Sequence, residues 1–394
     1  MKKLCKNIDI TDRKFISEAV YETIEGKYRR RDVLQLLAQT SGLKENEIYY
    51  ILRRYENAAV RWIVESVVDR VCDEIIRWDI RLPPISYRKK VDGNSGKVRL
   101  IGIENIYQQI YEHIAVRGLA ELSCKFGEYQ VACIKGRGPH KSAKVIKRWL
   151  RQPTSRWAWK ADAKQYYPSI DCDKLKKLLG RYVKNKPLLR LTYLIIDAFE
   201  KGLSIGSYLS QFLANFYMSF AYHFAAEKLY KIRHKKNGTT ERVNLIDHVM
   251  IQMDDILFIG SSLKDVKSAA KQFKKWVWDN LRIEIKPDEK YINLMDGYID
   301  MVGFFSSKKK VIVRSRNFVR FRRDIMRVRR TGFITIRTAK SIIARNGWYK
   351  GCQCRHFMKR NKVNKILKKC REVISNGKDV FYYAAARSDS YRAA

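Results

Sequence analysis

The sequence predicts an α+β protein, and three features lead to that prediction. Residues 249–260 place two adjacent carboxylates, Asp254 and Asp255, between apolar runs rich in β-branched residues, which is the pattern of a buried β-hairpin. Long segments at both ends of the chain instead repeat their apolar residues at helical spacing. The 394 residues, 46% of them hydrophobic, are enough for a large core divided among two or three subdomains.

The charge of the chain indicates a polyanionic partner. Lys and Arg number 81 against 40 Asp and Glu, a formal net charge of +41, and a fold gains no stability from this excess because like charges repel. Basic clusters are spread along the whole chain, which favours a long nucleic acid over a membrane. No apolar run approaches the roughly 20 residues that span a bilayer, and the N-terminus lacks a signal-peptide core, so we expect a cytoplasmic protein.

The 8 cysteines give no sign of a metal clamp or a disulfide framework. None forms a Cys-x-x-Cys pair, and Cys352 and Cys354 are too close in sequence for an ordinary zinc site. We therefore expect reduced thiols and no zinc.

The N-terminal part of the chain predicts helices followed by a hairpin. Apolar residues recur at helical spacing in 33–37 and 60–76, so residues 1 to about 80 are expected to form a helical extension. A structural lobe and an RNA-binding role both stay open for it, because only its basic residues favour the second. Turn-forming residues then precede a predicted return strand, which carries Lys97 and Arg99 on one face.

A third carboxylate, Asp162, ends a predicted short strand, and Pro168 with Ser169 predicts a helix start behind it. A carboxylate at the end of a strand faces whatever lies beyond the sheet, which suits a metal ligand. The adjacent charges of Asp254 and Asp255 likewise call for a neutralising cation such as Mg²⁺. For that pair alone, a polar turn capping a core hairpin is the other interpretation.

Three longer helical segments are predicted after Asp162. An apolar helix is expected to open at Ser210 and Gln211, and an amphipathic helix is expected from Leu263 to about Leu281. From about residue 315 onward the sequence is basic and helical, which suits a three-helix unit that binds a duplex by its backbone.

Taken together, three blocks in this order resemble the palm of a reverse transcriptase. They are Asp162 followed by the aromatics Tyr166 and Tyr167, the glycine block at 201–211, and the Asp-Asp turn. The resemblance covers roughly residues 85 to 375 and implies a right-hand polymerase with an N-terminal helical extension. The implied domains are the extension (1–80), fingers (81–160), palm (161–305), helical thumb (306–380) and a tail (381–394).

The resemblance implies RNA-templated DNA synthesis with two Mg²⁺ ions, for which Mn²⁺ can substitute. Asp162, Asp254, Asp255 and the carbonyl of Ala163 would hold the ions. Lys290 takes the place of the lysine that neutralises the departing pyrophosphate as a general acid. An ordinary surface lysine is the other interpretation of Lys290.

The same resemblance assigns residues to the incoming dNTP. Tyr167, five positions after Asp162, takes the place of a steric gate against a ribose 2′-hydroxyl. Because Tyr166 is adjacent, only one of the two rings is expected to face the site. The other implied nucleotide contacts come from the predicted hairpin strand, which is the first fingers block (Lys97 and Arg99), from a second fingers block at residues 130–140 (Lys135 and Arg137), and from the glycine block (Gly206 and Gln211).

Primer positioning is implied for Gln252 and for Gly303, which lies in a predicted primer-grip hairpin at 297–304. The family usually has Tyr where this chain has Gln252, so we expect an error-prone or base-biased enzyme. The Ile-Gly-x-x-x-Ser-Gln form of the glycine block resembles the reverse transcriptases of diversity-generating retroelements, in which this block is linked to loose nucleotide selection.

These features lead us to expect a prokaryotic reverse transcriptase of the group II intron-like lineage, which copies a structured or noncoding RNA into cDNA. It would serve a retroelement that diversifies sequences, or an antiviral defence system. The expected partners are an RNA template, a DNA or RNA primer, dNTPs, a cognate noncoding RNA, and an accessory protein or a second copy of the chain. Two alternatives stay open: a template-independent DNA polymerase, and a maturase-type RNA chaperone that does not need the acids.

Overall fold

A computed structural model describes residues 3–54, 57–91, 96, 98–349, 352–377 and 380–381. Helices and antiparallel sheets both contribute to it, so the α+β prediction is confirmed. None of the helices in these ranges is both long and apolar enough to cross a membrane.

The N-terminal lobe is helical, as predicted. Its α1 is capped by Asp12, whose carboxylate accepts hydrogen bonds from the first backbone N–H groups. Ile16 of this lobe belongs to the same continuous hydrophobic cluster as Trp159 in the centre of the chain, so the lobe is packed onto the rest of the protein. Its helices are α1 (Arg13–Ile24), α2 (Arg31–Ser41), α3 (Glu45–Arg54) and α4 (Asn57–Arg77).

The predicted fingers contain one antiparallel hairpin and two helices. Arg99 lies opposite Lys90 in the hairpin, while the turn that joins the two strands falls largely outside the described residues. A short 3-10 helix at Ala120–Lys125 follows the first of the helices. The elements are β1 (Ser86–Val91), β2 (Val98–Ile103), α5 (Ile106–Gly118) and α6 (Pro139–Leu150).

The predicted palm is built around a four-stranded antiparallel sheet with the strand order β6-β7-β3-β8. A separate two-stranded hairpin, β4-β5, precedes the sheet strand β6. The elements of this region are β3 (Trp157–Asp162), α7 (Tyr166–Ser169), α8 (Cys172–Tyr182), α9 (Lys186–Asp197), α10 (Tyr208–Glu227), β4 (Tyr230–His234), β5 (Thr240–Asn244), β6 (His248–Gln252), β7 (Asp255–Gly260), α11 (Leu263–Leu281) and β8 (Lys290–Asn293).

The palm sheet separates two hydrophobic clusters, because successive side chains of a strand point to opposite faces. On one face Trp159 and Phe258 pack against Phe273 of α11, with ring centroids 6.0 and 5.0 Å from that ring. The opposite face carries Ala158 and Leu257, which belong to a second cluster shared with α6 and the C-terminal part of the chain. Both faces being apolar explains why the strands appear as continuous apolar runs.

The C-terminal part forms a three-stranded sheet and a group of helices. The grip hairpin predicted at 297–304 begins at Ile299, and a third strand that was not predicted pairs with it to form the sheet. Over the described residues the predicted three-helix thumb has four helices, because a short α14 follows the interruption at Trp348. The elements are β9 (Ile299–Met301), β10 (Phe304–Ser306), β11 (Val311–Val313), α12 (Ser315–Thr331), β12 (Phe333–Ile334), α13 (Ile336–Asn346), α14 (Arg355–Arg360), α15 (Val363–Asn376) and β13 (Val380–Phe381). The domain boundaries stay predictions.

Two predicted helix starts are wrong. The helix predicted to open at Ser210 begins at Tyr208, because Ser207 is its N-cap: the hydroxyl of Ser207 accepts the N–H of Ser210. Pro168 lies inside α7 instead of starting a longer helix, and the next helix is capped by Asp171. The amphipathic helix α11 does run from Leu263 to Leu281, as predicted.

Glu112 of α5 is a fully buried carboxylate that holds the start of α10. Its Oε2 accepts the backbone N–H of Tyr208 at 2.8 Å and of Leu209 at 3.4 Å. Burial, with the nearby charge of Glu104 adding to it, raises the pKa of Glu112 to about 7. The N-terminus of a helix favours negative charge, so this contact fixes α10 against α5.

Replacing Glu112 with Gln should change how stability depends on pH. The pKa of Glu112 is raised above its ordinary value of 4.5 in the folded chain, so its contribution is fully present below that value and is lost as pH rises through about 7. Gln does not titrate. The free energy of unfolding of Glu112→Gln, measured with urea, should therefore rise relative to wild type by about 2 kcal/mol between about pH 5 and about pH 8.

Glu112→Ala is the matched control, because it removes the acceptor and leaves two buried N–H groups unpaired. It should be less stable than Glu112→Gln by about 1–3 kcal/mol at either pH. Parallel pH profiles for wild type and Glu112→Gln would contradict the assignment of this titration to Glu112.

Candidate active site

Three carboxylates meet at one end of the palm sheet. Asp162, the last residue of β3, lies directly opposite Asp255, the first residue of β7. Asp254 precedes it in the β6-β7 turn, where Met253 has a φ of +54°. The N–H of Ala163 donates to the carbonyl of Asp254 at 2.8 Å, which ties this turn to the end of β3. The order of residues along two neighbouring strands thus brings all three acids together.

Burial and mutual repulsion set the protonation of these acids. Burial, with a hydrogen bond to Asp162, raises the pKa of Asp255 to about 7, and burial also raises the pKa of Asp254. Burial acts in the same direction on Asp162, but the hydrogen bond with Asp255 and the charges of Lys160 and Lys286 outweigh it and lower the pKa. A tight turn between two buried strands would be expected to hold the acid pair at an exposed tip, but Asp254 and Asp255 are half-buried, because β7 begins at Asp255 itself.

Two lysines contact the acids, and neither was among the predicted site residues. Lys160 lies two residues before Asp162, so both point to the same face of β3, and its Nζ is 3.1 Å from Oδ1 of Asp255 and 3.7 Å from Oδ1 of Asp162. Nζ of Lys286 is 3.1 Å from Oδ2 of Asp162. Lys290 is exposed and lies opposite Lys160 on β8. The spacing of Lys160 from Asp162 could have revealed it; nothing in the sequence distinguished Lys286.

The two adjacent tyrosines have different environments. Tyr166 is buried and donates its hydroxyl to the carbonyl of Ala214 at 2.6 Å, so it belongs to the core. Tyr167 is half-buried, and burial raises its pKa, with the charges of Cys133 and Asp254 adding to the effect. Of the two rings, Tyr167 is therefore the one that is not committed to the core.

The glycine block lies against the fingers strand β2. Gly206 has a φ of +123°, and a Cβ at this position would lie 2.8 Å from the carbonyl oxygen of Gly102. The N–H of Gly102 donates to the carbonyl of Ile205 at 3.0 Å. Only glycine fits this close approach. Gln211 follows in the first turns of α10, where its side chain is half-buried.

Arg99 is the fingers residue whose charge reaches the carboxylates. It lies on β2, and its guanidinium partly offsets the rise that burial causes in the pKa of Asp254. Its predicted partner in nucleotide binding, Lys97, lies outside the described residues. The hairpin therefore presents at least one cation toward the site.

The second fingers block contributes an exposed lysine and an inward arginine. Lys135 is exposed. Arg137 is half-buried, and its Nη1 donates to the backbone carbonyls of Gly127 and Gln130. These contacts stabilise the loop before α6, so Arg137 has a structural role. The nucleotide contact expected from it stays a prediction.

The two residues assigned to the primer belong to different sheets. Gln252 is paired with Asp255 across the β6-β7 turn, and its buried Oε1 finds no hydrogen-bond donor among the described residues. Gly303 occupies the β9-β10 turn with a φ of +85°, and a Cβ there would lie 2.5 Å from the ring of Trp348. The grip turn is thus packed directly beneath a C-terminal aromatic residue.

The acids fit a hard divalent cation in their chemistry. Carboxylate oxygens are the ligands that Mg²⁺ prefers, and the ammonium groups of Lys160 and Lys286 already supply positive charge at Asp162 and Asp255. In the part of the chain that the structure describes, no group of three or more His, Cys, Asp or Glu side chains is arranged around one point.

Comparisons with known proteins identify the family. The profile of the family "Reverse transcriptase (RNA-dependent DNA polymerase)" matches residues 87–291, more than half of the chain. No curated protein matches the chain in sequence. Among similar solved structures, a telomerase from Candida albicans in complex with a TWJ fragment of telomeric RNA has a TM-score of 0.45 and 11% identity, over 61% of this chain and 46% of that one.

A second similar structure is the apo telomerase from Candida tropicalis truncated from its C-terminal domain. It has a TM-score of 0.41 and 14% identity, over 58% of this chain and 54% of that one. The chain spans about half the length of these two telomerase chains.

The family match extends over the β1-β2 hairpin, Asp162, the glycine block, the acid pair and Lys290. It confirms the right-hand polymerase fold and the reverse transcriptase family that the sequence predicted, while the finer lineage stays a prediction. The chain therefore belongs to the reverse transcriptase (RNA-dependent DNA polymerase) family, whose members are nucleotidyltransferases.

Proposed function

We propose that this enzyme copies a specific structured or noncoding RNA into cDNA by nucleotidyl transfer with two Mg²⁺ ions. The observation that carries the proposal is the register of β3 and β7, which sets Asp162 opposite Asp255 with Asp254 in the adjoining turn. Carboxylates on neighbouring strands reach the same small volume. A primer end and a nucleoside triphosphate meeting there are both anionic, so a cationic centre held by these acids suits the reaction.

The residues that hold the ions are proposed to be Asp162, Asp254 and the carbonyl of Ala163, with Asp255 supporting the second site. When bound, the ions supply Lewis-acid activation of the primer 3′-hydroxyl and stabilise negative charge on the departing pyrophosphate. Asp255 would act as a ligand in its ionised form, which a nearby divalent charge favours. Mn²⁺ offers the same oxygen chemistry and is expected to substitute.

The leaving group and the triphosphate need cations from the protein itself. Arg99, with Lys97 and Lys135 from the fingers, is proposed to bind the triphosphate, because guanidinium groups suit bidentate contacts with phosphate. Lys290 remains the proposed general acid for the pyrophosphate. Lys286, whose Nζ is 3.1 Å from Oδ2 of Asp162, is proposed as a second cation that offsets the negative charge of the pyrophosphate.

Selection of the nucleotide is proposed to depend on Tyr167 and the glycine block. The half-buried ring of Tyr167 is proposed to exclude a ribose 2′-hydroxyl, and Asp254 is among the charges that act on it. Gly206 lets the backbone approach the forming base pair, and Gln211 follows it on α10. Gln252, whose amide oxygen has no hydrogen-bond donor in the part of the chain that the structure describes, is proposed to contact the primer end. Gly303 is proposed to support the primer strand from the grip turn.

The C-terminal helices are proposed to hold the primer-template duplex. One face of α12 carries a row of arginines beside the exposed Val319 and Met326. Cations spaced along a helix bind a phosphate backbone without regard to sequence. The arginines of this face are Arg322, Arg323, Arg327, Arg329 and Arg330.

The biological system is proposed from the Ile-Gly-x-x-x-Ser-Gln block, which resembles that of diversity-generating retroelements within the group II intron-like lineage. A cytoplasmic enzyme of this kind would act with a cognate noncoding RNA, and with an accessory protein or a second copy of itself. Sequencing the nucleic acid that co-purifies with the protein tests this directly. A single structured RNA is expected; random RNA fragments would contradict a dedicated template.

Replacing both Asp254 and Asp255 with Ala should lower dNTP incorporation on a primed RNA template by about a thousandfold or more, because the acids hold the metal ions. RNA binding should be largely retained, since the basic residues supply affinity. The control Asp279→Ala/Asp288→Ala removes two exposed carboxylates elsewhere in the palm and should keep activity. Polymerisation by the Asp254/Asp255 variant would show that these acids are not the catalytic centre.

Tyr167→Val should raise the use of rNTPs relative to dNTPs by about tenfold or more, since removing the ring opens space for a 2′-hydroxyl. Tyr166→Phe is the control: it loses only the hydrogen bond to Ala214 and should cost about 1 kcal/mol of stability without changing sugar selection. The measurement is single-nucleotide incorporation with each sugar. An unchanged ratio for Tyr167→Val would place the gate elsewhere.

Gln252→Tyr should narrow the misincorporation spectrum without loss of turnover. A rigid ring holds the primer terminus more tightly than a flexible amide with both donors and acceptors. Deep sequencing of cDNA made on one defined template compares wild type, Gln252→Tyr and the control Gln272→Tyr, whose position is exposed on α11. If all three spectra are the same, Gln252 does not affect selection.

A further inference from the structure

We infer that Lys160 is a resident cation of the catalytic centre, whose ammonium group neutralises Asp162 and Asp255 in the metal-free enzyme and lowers the affinity of that centre for a divalent ion. The inference rests on the proposed function in one respect, namely that these acids are the metal ligands. Lys160 would then be a positioning residue that competes with the metal for the carboxylate oxygens.

The position of Lys160 is built into the sheet. It occupies β3 two residues before Asp162, and both side chains project from the same face. Its side chain is only 19% exposed, and its Nζ lies 3.1 Å from Oδ1 of Asp255 and 3.7 Å from Oδ1 of Asp162. The ammonium group therefore bridges acids from two neighbouring strands.

Burial makes this ion pair different from those at the protein surface. Lys164, two residues after Asp162, pairs with Glu284 at 2.9 Å, but both of these side chains are more than half exposed. Water screens such a pair and leaves it with little effect. Removing the buried charge of Lys160 would instead leave two facing carboxylates without their bridging cation.

The contacts of Lys160 are also the atoms that a metal ion would require. Lys160 contacts one oxygen each of Asp162 and Asp255, and Lys286 contacts the other oxygen of Asp162. A divalent ion bound between these acids would lie within a few ångströms of the ammonium group, and like charges at that distance repel strongly where water is scarce. Lys160 must therefore move aside or oppose binding, and either costs affinity.

The test measures Mn²⁺ binding from the loss of the free-ion electron paramagnetic resonance signal. It uses the full chain freed of nucleic acid, without primer, template or dNTP, so the result does not depend on activity. Lys160→Met should bind Mn²⁺ about tenfold more tightly than wild type or better. Lys160→Arg keeps the charge and should stay close to wild type. Lys164→Met makes the same change in net charge at the exposed pair and should alter the dissociation constant by less than about twofold.

A second measurement follows thermal unfolding with and without Mn²⁺. Without Mn²⁺, Lys160→Met should unfold at a lower temperature than wild type, because Asp255 loses the cation that bridges it to Asp162. Mn²⁺ should raise that temperature more than in wild type. If Lys160→Met does not fold, Lys160→Gln is used for the same measurement, because its side chain is polar but uncharged. Failure of both variants to fold even with Mn²⁺ would overturn the inference, since the ion should replace the ammonium group.

The variant Asp254→Asn separates this inference from the proposed function. If wild-type binding of Mn²⁺ depends on Asp254 but Lys160→Met binds no more tightly than wild type, Lys160 is not a competing cation and the metal assignment stands. If Asp254→Asn binds Mn²⁺ as wild type does, the acids are not the metal ligands, and the proposed mechanism and the inference both fail.

Discussion

The pairing of β3 with β7 is the constraint on which the rest of the catalytic centre depends. A shift of one residue would turn every side chain of β3 to the opposite face of the sheet. Trp159 would then leave the aromatic cluster that it forms with Phe258 and Phe273, and Asp162 would no longer face Asp255. The hydrophobic core beneath the sheet thus fixes the geometry of the acids above it.

The pairing that brings the acids together also creates an electrostatic problem, which nearby lysines offset. Lys160 comes from the same strand as Asp162, while Lys286 comes from the segment before β8. The excess of basic residues over the whole chain acts at longer range, where it favours any anionic substrate. The nearby lysines offset the negative charge of the acids, and the basic residues spread over the chain favour binding of nucleic acid.

The nucleotide side of the centre depends on contacts between the fingers and the palm. The glycine block is bonded to β2 through Gly102 and Ile205, and α10 is held by Glu112 of α5. A movement of the fingers would therefore carry Gly206 with it. The residues proposed to contact the triphosphate and those proposed to contact the base pair are parts of one connected unit.

The sequence by itself determined the features that depend on local pattern: the helical N-terminal lobe, the hairpin around Asp254, helix α11, and the order of the three acids. It did not decide which of two adjacent tyrosines is buried in the core, that Ser207 caps α10, that Arg137 turns inward, or that Lys160 and Lys286 contact the acids. Those outcomes depend on side chains from segments far apart in sequence, which only the packing of the strands brings within hydrogen-bonding distance.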